Sequence, residues 1–328
     1  MNSANDLLIK KKKNVKRIFF TVFLLLSIFK LSAQTTDLAR VEYLTLPFSK
    51  SDNSINRYRA LVQAPIPINK EKKNFLVIGL EYRYVDIGIK DNEDILAFRG
   101  PVPPNENIQS NLVTSVQQID AYLGYTWTTK NFWRFGIKFG PKFQSDFKDG
   151  LQSDDVLYDG AVYAIKDKKK DTTGGNKPYR LVLGLSYSNT PGRNFPLPIL
   201  NYFKEFHPNW TYTLGVPKTN VRHYLNDNHK DALQAFATLD NVYANIQENF
   251  VPISEQNSEG KVAESIQETI GLLGLGYEHF FTKHLLFYGY AAHSVYNDFR
   301  LEDADGNKIY KINTENSPYF RAGLKFKY

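Results

Sequence analysis

The sequence of 328 residues contains no cysteine. Without cysteine, the chain can have no disulfide framework, no thiol nucleophile, no thiolate metal site and no lipidated amino-terminal cysteine. Long apolar runs are also absent, since after residue 33 no window approaches 18 consecutive apolar residues. This excludes a protein that crosses a membrane with helices.

A true excess of positive charge is also missing, although the formal net charge is +7. Residues 1–33 hold seven of the 41 basic side chains and one of the 34 acidic ones. The rest of the chain therefore carries 34 basic against 33 acidic side chains. That balance gives no electrostatic footprint for nucleic acid, so we expect no nucleic-acid partner.

Residues 1–33 have the order of parts that is typical of a secretory signal peptide. A basic stretch precedes an apolar stretch from Ile18 to Phe29, and the small residues Ser32 and Ala33 follow. The apolar stretch is shorter than the roughly 20 residues that a spanning helix needs. The sequence predicts a signal peptide over 1–33, cleaved before Gln34, and one domain over 34–328. An uncleaved anchor helix is the alternative.

The domain after residue 33 shows long segments in which apolar and polar residues alternate. The clearest is 131–143, where Trp133, Phe135, Ile137 and Phe139 share one face and charged or glycine residues occupy the other. A period of two indicates a strand. This length suits a tilted membrane strand of about 9 to 11 residues better than a soluble strand of about 5 to 6.

Short polar turns alternate along the chain with longer polar segments. We predict that the short ones face the periplasm and that the long ones, 91–111, 247–265 and 302–317, face the outside. The chain then forms about fourteen strands, an even number as expected of a single-chain barrel. Whether 210–225 is one bent strand or two strands around Pro217 is left open, and twelve strands is the alternative. The predicted fold is all-β, a transmembrane antiparallel up-and-down β-barrel.

The last strand alternates in the same way. Its polar residue, glycine, hydrophobic residue and terminal aromatic are spaced as Arg321, Gly323, Phe326 and Tyr328. This resembles the signal by which the outer-membrane barrel assembly machinery recognises its clients, through pairing of an exposed strand. The expected partners are therefore this machinery and, around the barrel, outer-membrane lipid and lipopolysaccharide. The expected location is the cell outer membrane, after cleavage of the signal peptide.

More narrowly, the chain resembles the uncharacterised outer-membrane β-barrel proteins of the Bacteroidota. The resemblance rests on the Ser32-Ala33-Gln34 junction, on PLPILNYFKEFHPNWTYTLGVPKTNVRHYLNDNH from Pro196 to His229, and on the Tyr328 ending. It implies an outer-membrane location and a barrel fold. It implies no substrate.

Residues that could support catalysis or metal binding are few. His293 and Ser294 resemble the pair of outer-membrane lipid hydrolases, which lies two residues apart on one strand, but here they are adjacent and point to opposite faces. The loop from Asp303 opens like a calcium loop but has Lys308 and Thr314 where glycine and glutamate are needed, so we prefer a hairpin turn. We expect no catalytic residue, no cofactor and no metal.

The polar faces of the strands are the best candidate site. Charge on the lipid side would cost about 2 to 4 kcal/mol for each Arg or Lys, so these side chains are expected to face the lumen. The predicted lumen-facing residues are Arg40, Glu42, Glu81, Arg83, Asp120, Arg134, Lys138, Lys142, Arg180, Lys325 and Lys327, with Arg321 on the same face. The lumen is then either a polar channel for small solutes or filled by ion pairs. A channel, a structural or surface-interaction barrel and a lipid-modifying hydrolase all stay open.

Overall fold

A computed structural model describes most of the chain after residue 36. The described residues are 37–49, 53–69, 73–88, 96–98, 113–129, 131, 133–168, 178–190, 195–253 and 255–327. The predicted signal peptide and Tyr328 lie outside these residues. Where the structure describes the chain, no helix has the length and apolar character needed to cross a membrane.

Nearly all of the described chain is β-strand. The strands are β1 (Asp37–Pro47), β2 (Ser54–Pro67), β3 (Phe75–Gly88), β4 (Leu96–Phe98), β5 (Ser115–Thr128), β6 (Trp133–Ser145), β7 (Val156–Asp167), β8 (Tyr179–Ser188), β9 (Leu197–His207), β10 (Trp210–Val216), β11 (Lys218–Tyr224), β12 (Asp231–Ile253), β13 (Ala263–Phe280), β14 (Leu285–Glu302), β15 (Lys308–Asn313) and β16 (Pro318–Lys327). Two single 3-10 turns, Ser153–Asp155 and Glu255–Asn257, lie in the connections.

Fourteen of these strands close into an antiparallel up-and-down barrel. Each pairs with its neighbours in the chain, and β1 pairs with β16 to close the ring, while the short β4 and β15 attach to the ends of β12 and β14. Pro217 separates β10 from β11, because proline has no N–H to donate to a sheet. The prediction of fourteen strands is confirmed and the twelve-strand alternative is wrong.

The two ends of the barrel differ in their connections. We call the end that holds Asp37 and Lys327 the proximal end and the other the distal end. Apart from the connection 168–178 between β7 and β8, the proximal turns are short, and side chains close two of them. Asn226 Oδ1 accepts the N–H of Lys230 at 2.9 Å, and Thr282 Oγ1 accepts that of Leu285 at 2.9 Å. Asn and Thr side chains favour such turns because their oxygens replace a backbone acceptor.

The outer face of the barrel is apolar around its circumference. On β6, Ile137 and Phe139 are 48% and 61% exposed, and on β13 Leu275 is 69% exposed. The three tryptophans, Trp127, Trp133 and Trp210, all lie next to proximal turns. The predicted alternation of 131–143 is therefore present, with its apolar side chains on the outside.

The distal connections contain more regular structure than we expected. The segments 247–265 and 302–317 were predicted as loops, yet β12 continues to Ile253, β13 begins at Ala263, and β15 lies within the second segment. The residues beyond Thr238 on β12 no longer pair with β11. Instead Asn245 pairs in parallel with Ser145 of β6, on the far side of the five strands β7 to β11. Towards the distal end, beyond the ends of β7 to β11, the ring is therefore closed by the pairing of β12 with β6. It contains nine strands there instead of fourteen.

This distal part has an apolar core of its own. Inner-face residues of β1, β2, β3 and β5 pack against residues of β12 to β16, and the buried set is Leu44, Leu46, Phe48, Ile55, Val85, Ile87, Val116, Ala244, Ile246, Phe250, Ala263, Ile266, Ile270, Leu272, Phe299, Leu301, Ile309, Tyr310 and Tyr319. Burial of this apolar surface stabilises the distal part as it would a small soluble barrel.

Candidate functional site: the barrel interior

The charged faces of the strands lie inside the barrel, where most of their side chains have partners. The Glu42 side chain is fully buried, accepts a hydrogen bond from the Tyr288 hydroxyl, and lies 3.4 Å from Arg321. Glu81 binds Arg59 at 2.7 Å and Arg83 at 2.5 Å. Beside β1 and β3, buried carboxylates and arginines therefore neutralise each other.

The other predicted lumen-facing residues are also placed on the inner face, in separate contacts. Arg40 pairs with Asp37, Asp120 accepts the amide of Gln118 at 2.9 Å, Lys142 lies 3.2 Å from Asp159, and Arg180 lies 3.9 Å from Asp167. The remaining cations lie over aromatic rings: Arg134 over Phe75, Lys138 over Tyr122, Lys325 over Tyr288 and Lys327 over Phe280. A cation over a ring face is attracted by the ring quadrupole.

Two ion-pair clusters inside the barrel were missed by the sequence analysis. In the first, Arg57 of β2 binds Asp240 of β12 at 3.0 and 2.7 Å, and the Tyr319 hydroxyl donates to the same carboxylate at 3.1 Å. Both charged side chains lie on strands that we had not examined for inner-face charge. Arg57 alternates with Tyr58 and Arg59 with Ala60, so a signal was available on β2.

The second missed cluster surrounds Glu278 of β13. Its carboxylate accepts hydrogen bonds from Arg222 at 3.1 Å, Gln234 at 2.9 Å and the Tyr290 hydroxyl at 2.8 Å. Lys218 donates to Gln234 Oε1 at 3.0 Å and lies over the Tyr290 ring. Together with the first cluster, this fills the part of the interior that β1, β2 and β11 to β16 enclose.

The interior along β7 to β10 is different. Inner-face residues there, such as Ser186, Ser188, Asn201 and Thr213, are only half-buried. The Asp159 side chain is 30% exposed, whereas the Glu42 side chain is fully buried. One side of the barrel interior is therefore packed. The other is less buried, and there polar residues such as Ser186 and Asn201 share the inner face with apolar ones such as Ile199 and Phe203.

A set of polar contacts holds the distal part of β12 against the top of β6, and we call it the latch. Asp146 N–H donates to the Asn245 carbonyl at 3.3 Å, and Gln247 N–H donates to Asp146 Oδ1 at 3.1 Å. Buried Asp155 accepts the side-chain amides of Asn245 at 2.9 Å and Gln247 at 2.7 Å. The latch therefore ties β12 to the end of β6 and to the 3-10 turn that precedes β7.

The hydrolase pair does not form. His293 Nδ1 lies 2.8 Å from the backbone carbonyl oxygen of Ser294, and Ser294 Oγ instead accepts the N–H of Ser317 at 2.7 Å. His293 is exposed on the outer face while Ser294 is buried, as expected of adjacent strand residues. The His293 ring therefore does not reach this hydroxyl.

The candidate calcium loop is a turn between β14 and β15. Asp303 Oδ1 accepts the N–H groups of Asp305 and Asn307, at 3.1 and 2.7 Å, and Gly306 has a φ of 79°. Such a positive φ favours glycine. Among the residues that the structure describes, no group of three acidic, histidine or cysteine side chains could hold a metal ion.

Three residues of the predicted assembly signal lie on β16, between β1 and β14, and Tyr328 lies outside the described residues. Phe326 is exposed on the outer face and Arg321 lies inside. A Cβ at Gly323 would lie 2.5 Å from the Val41 carbonyl oxygen and 2.7 Å from the Tyr288 hydroxyl. Packing alone therefore requires glycine at this position. Its recognition by the assembly machinery stays a prediction.

Comparisons with known proteins do not assign the chain to a family. A scan against protein-family models finds no match, and neither does a search of curated proteins. Among solved structures, the chain is similar to the KdgM porin, at 6% identity and a TM-score of 0.35 over 88% of this chain and 99% of that one. It is similar to the NanC porin at 10% identity and 0.38, over 88% and 100%. It is also similar to LpxR from Salmonella typhimurium, at 7% identity and a TM-score of 0.35, over 88% of this chain and 100% of that one. At these identities and TM-scores, the similarities carry no argument about function.

Proposed function

We propose that the protein is an outer-membrane β-barrel through which small polar solutes pass along the β7–β10 side. The observation that carries this proposal is the contrast between the packed interior beside β1 and the less buried interior beside β8 and β9, where polar residues such as Ser186 and Asn201 lie among apolar ones. Barrels of about 8 strands are filled and those of 16 to 18 leave a pore. A fourteen-strand barrel that is filled on one side leaves a narrow passage on the other.

The membrane location is supported by the outer face. Exposed apolar side chains surround the barrel, and contiguous patches of this kind are rare on monomeric soluble proteins. Tryptophans next to the proximal turns match the aromatic girdle that membrane barrels place at the interface. On this proposal the proximal end faces the periplasm, lipid and lipopolysaccharide contact the outer face, and β16 is the strand that the assembly machinery recognises.

A structural or surface-interaction barrel is the second candidate, because the distal core and the latch close much of the lumen. Conductance of the refolded protein in planar bilayers separates the two. The informative variants are Ser186→Trp, which places a large ring on the inner face of β8, and Leu185→Trp, its neighbour on the outer face.

We expect the wild type to conduct, Ser186→Trp to lose most of the conductance, and Leu185→Trp to retain it. Both variants are first checked for folding by the heat-modifiable shift of the band on a gel. A correctly folded wild type without conductance would refute the channel and favour the structural barrel.

A further inference from the structure

The outer face of the barrel carries two lysines near its proximal end. Among the described residues of the fourteen wall strands, Lys166 on β7 and Lys204 on β9 are the lysines that face outward. Lys166 pairs with outward Trp133, and Lys204 with outward Tyr179. Both lie within three residues of the proximal ends of their strands. A lysine on the lipid side is costly at the midplane and far less so near an interface, so this position suits them.

Lys204 lies inside a frame of four aromatic side chains. Tyr179 and Tyr212 are its partners on the neighbouring strands, and Tyr202 and Phe206 lie two residues before and after it on β9. The ring centroid of Tyr202 is 6.2 Å from that of Tyr179 and 6.1 Å from that of Tyr212, and Phe206 and Tyr212 are 5.7 Å apart. Aromatic belts of membrane proteins lie at the level of the lipid head groups. The frame therefore places Lys204 at that level.

The polar atoms of this frame have no partner in the part of the chain that the structure describes. Lys204 forms no ion pair there, and the hydroxyls of the three tyrosines donate to no protein atom. Other outward tyrosines differ, since the Tyr43 hydroxyl donates to Asn56 at 3.0 Å and that of Tyr82 to Gln117 at 2.8 Å. One ammonium group and three hydroxyls are therefore available together on the outer face. We call these four residues the lysine patch.

No carboxylate on the surrounding strands offsets the charge of the lysine patch. The acidic residues of β7 to β10 are Asp159, Asp167 and Glu205, and all three alternate with outward residues and lie on the inner face. On the other side of β8, Lys166 lies over the Trp133 ring at 5.5 Å and adds a second positive charge. The outer face is therefore positively charged at this place.

Towards the distal end, the outer face next to the lysine patch is aliphatic. Leu183 on β8, Leu200 on β9 and Leu214 on β10 are all exposed there. Leu183 and Leu200 are paired residues, and Leu214 pairs with Tyr202 of the patch. A ligand that fits both parts has an anionic head and apolar chains that lie along the strands.

We propose that the lysine patch binds the head group of a phospholipid with a net negative charge, whose acyl chains lie along these leucines. The phosphate accepts hydrogen bonds from the ammonium group of Lys204 and from the tyrosine hydroxyls, as charge-assisted hydrogen bonds require. Because the proximal end faces the periplasm in the proposed function, this phospholipid belongs to the periplasmic leaflet. That leaflet rests on the proposed function, whereas binding to the patch does not.

Native mass spectrometry of the full chain, refolded in detergent micelles, tests the lysine patch. The probes are dioleoyl phosphatidylglycerol, dioleoyl phosphatidylcholine, which has the same chains and no net charge, and lipid A. The variants are Lys204→Gln and Lys204→Arg. The matched control is Lys230→Gln, which removes an exposed lysine from a proximal turn outside the patch. Each variant is first checked for folding by its heat-modifiable shift on a gel.

We expect phosphatidylglycerol to bind alike to the wild type, Lys204→Arg and Lys230→Gln. Binding to Lys204→Gln should be roughly fivefold weaker, the factor expected of one lysine near an anionic lipid surface. Phosphatidylcholine should bind to the wild type more weakly than phosphatidylglycerol does.

Three results would each overturn the proposal: phosphatidylcholine bound as tightly as phosphatidylglycerol, an affinity unchanged in Lys204→Gln, or lipid A bound in preference to phosphatidylglycerol. A folded protein that binds phosphatidylglycerol through Lys204 but does not conduct would refute the channel and leave the lysine patch standing.

Discussion

Arg57 of β2 and Asp240 of β12 form a two-hydrogen-bond ion pair, at 3.0 and 2.7 Å, although five strand-to-strand steps separate them around the barrel. Such a contact is possible only through the interior. It lies between the proximal charged clusters and the distal apolar core, and the Tyr319 hydroxyl on the same carboxylate joins it to β16. The pair therefore connects opposite parts of the wall.

Removal of one partner of this pair should destabilise the barrel. Asp240→Asn removes the carboxylate that forms both hydrogen bonds to the buried Arg57 guanidinium and leaves it only Glu42, at 3.8 Å. Breaking a buried pair costs about 3 to 5 kcal/mol. The control is Asp159→Asn, whose pair with Lys142 keeps partial exposure and should contribute only about 0 to 1 kcal/mol. Urea unfolding of the protein in lipid vesicles measures both, and equal effects would contradict the assigned role of Arg57–Asp240.

The two faces of β6 should respond oppositely to a change of charge. Ile137→Arg places a cation on the exposed outer face and should cost about 2 to 4 kcal/mol if that face meets lipid near the midplane. Lys138→Glu changes an inner-face residue and should fold normally, while ion selectivity shifts towards cations if the lumen conducts. Folding yield and reversal potential are the measurements. If Lys138→Glu failed to assemble while Ile137→Arg assembled normally, the inner and outer faces of β6 would have been assigned the wrong way round.

The barrel and its strand count could be predicted because alternation records the two surroundings of each strand. Alternation shows which face of its strand a residue occupies. It does not show which residues of distant strands meet across the interior. Arg57 and Asp240 lie 183 positions apart in the chain, so no local pattern links them. For the same reason the Glu278 cluster and the latch were missed.

The distal core was missed for a second reason. We expected polar or charged residues on the inner face, whether the lumen is open or filled by ion pairs, and no apolar core. On β1 the inner face carries Arg40 and Glu42 and continues with Leu44 and Leu46, which are buried in the distal core. This change from charged to apolar on a single face was visible in the sequence. It indicates that the interior is filled by protein at that level.

The crossing of β12 to β6 can be tested by cross-linking, because the chain has no cysteine of its own. Ser145 and Asn245 are paired residues, so Ser145→Cys with Asn245→Cys should oxidise readily to a disulfide, for which Cα atoms roughly 4.4 to 6.8 Å apart are required. Ser145→Cys with Asn241→Cys is the control, since four strand residues add roughly 13 Å. The disulfide closes a loop in the unfolded chain, which changes its mobility on a denaturing gel until the disulfide is reduced. A cross-link in the control pair alone would show that β12 does not cross as described.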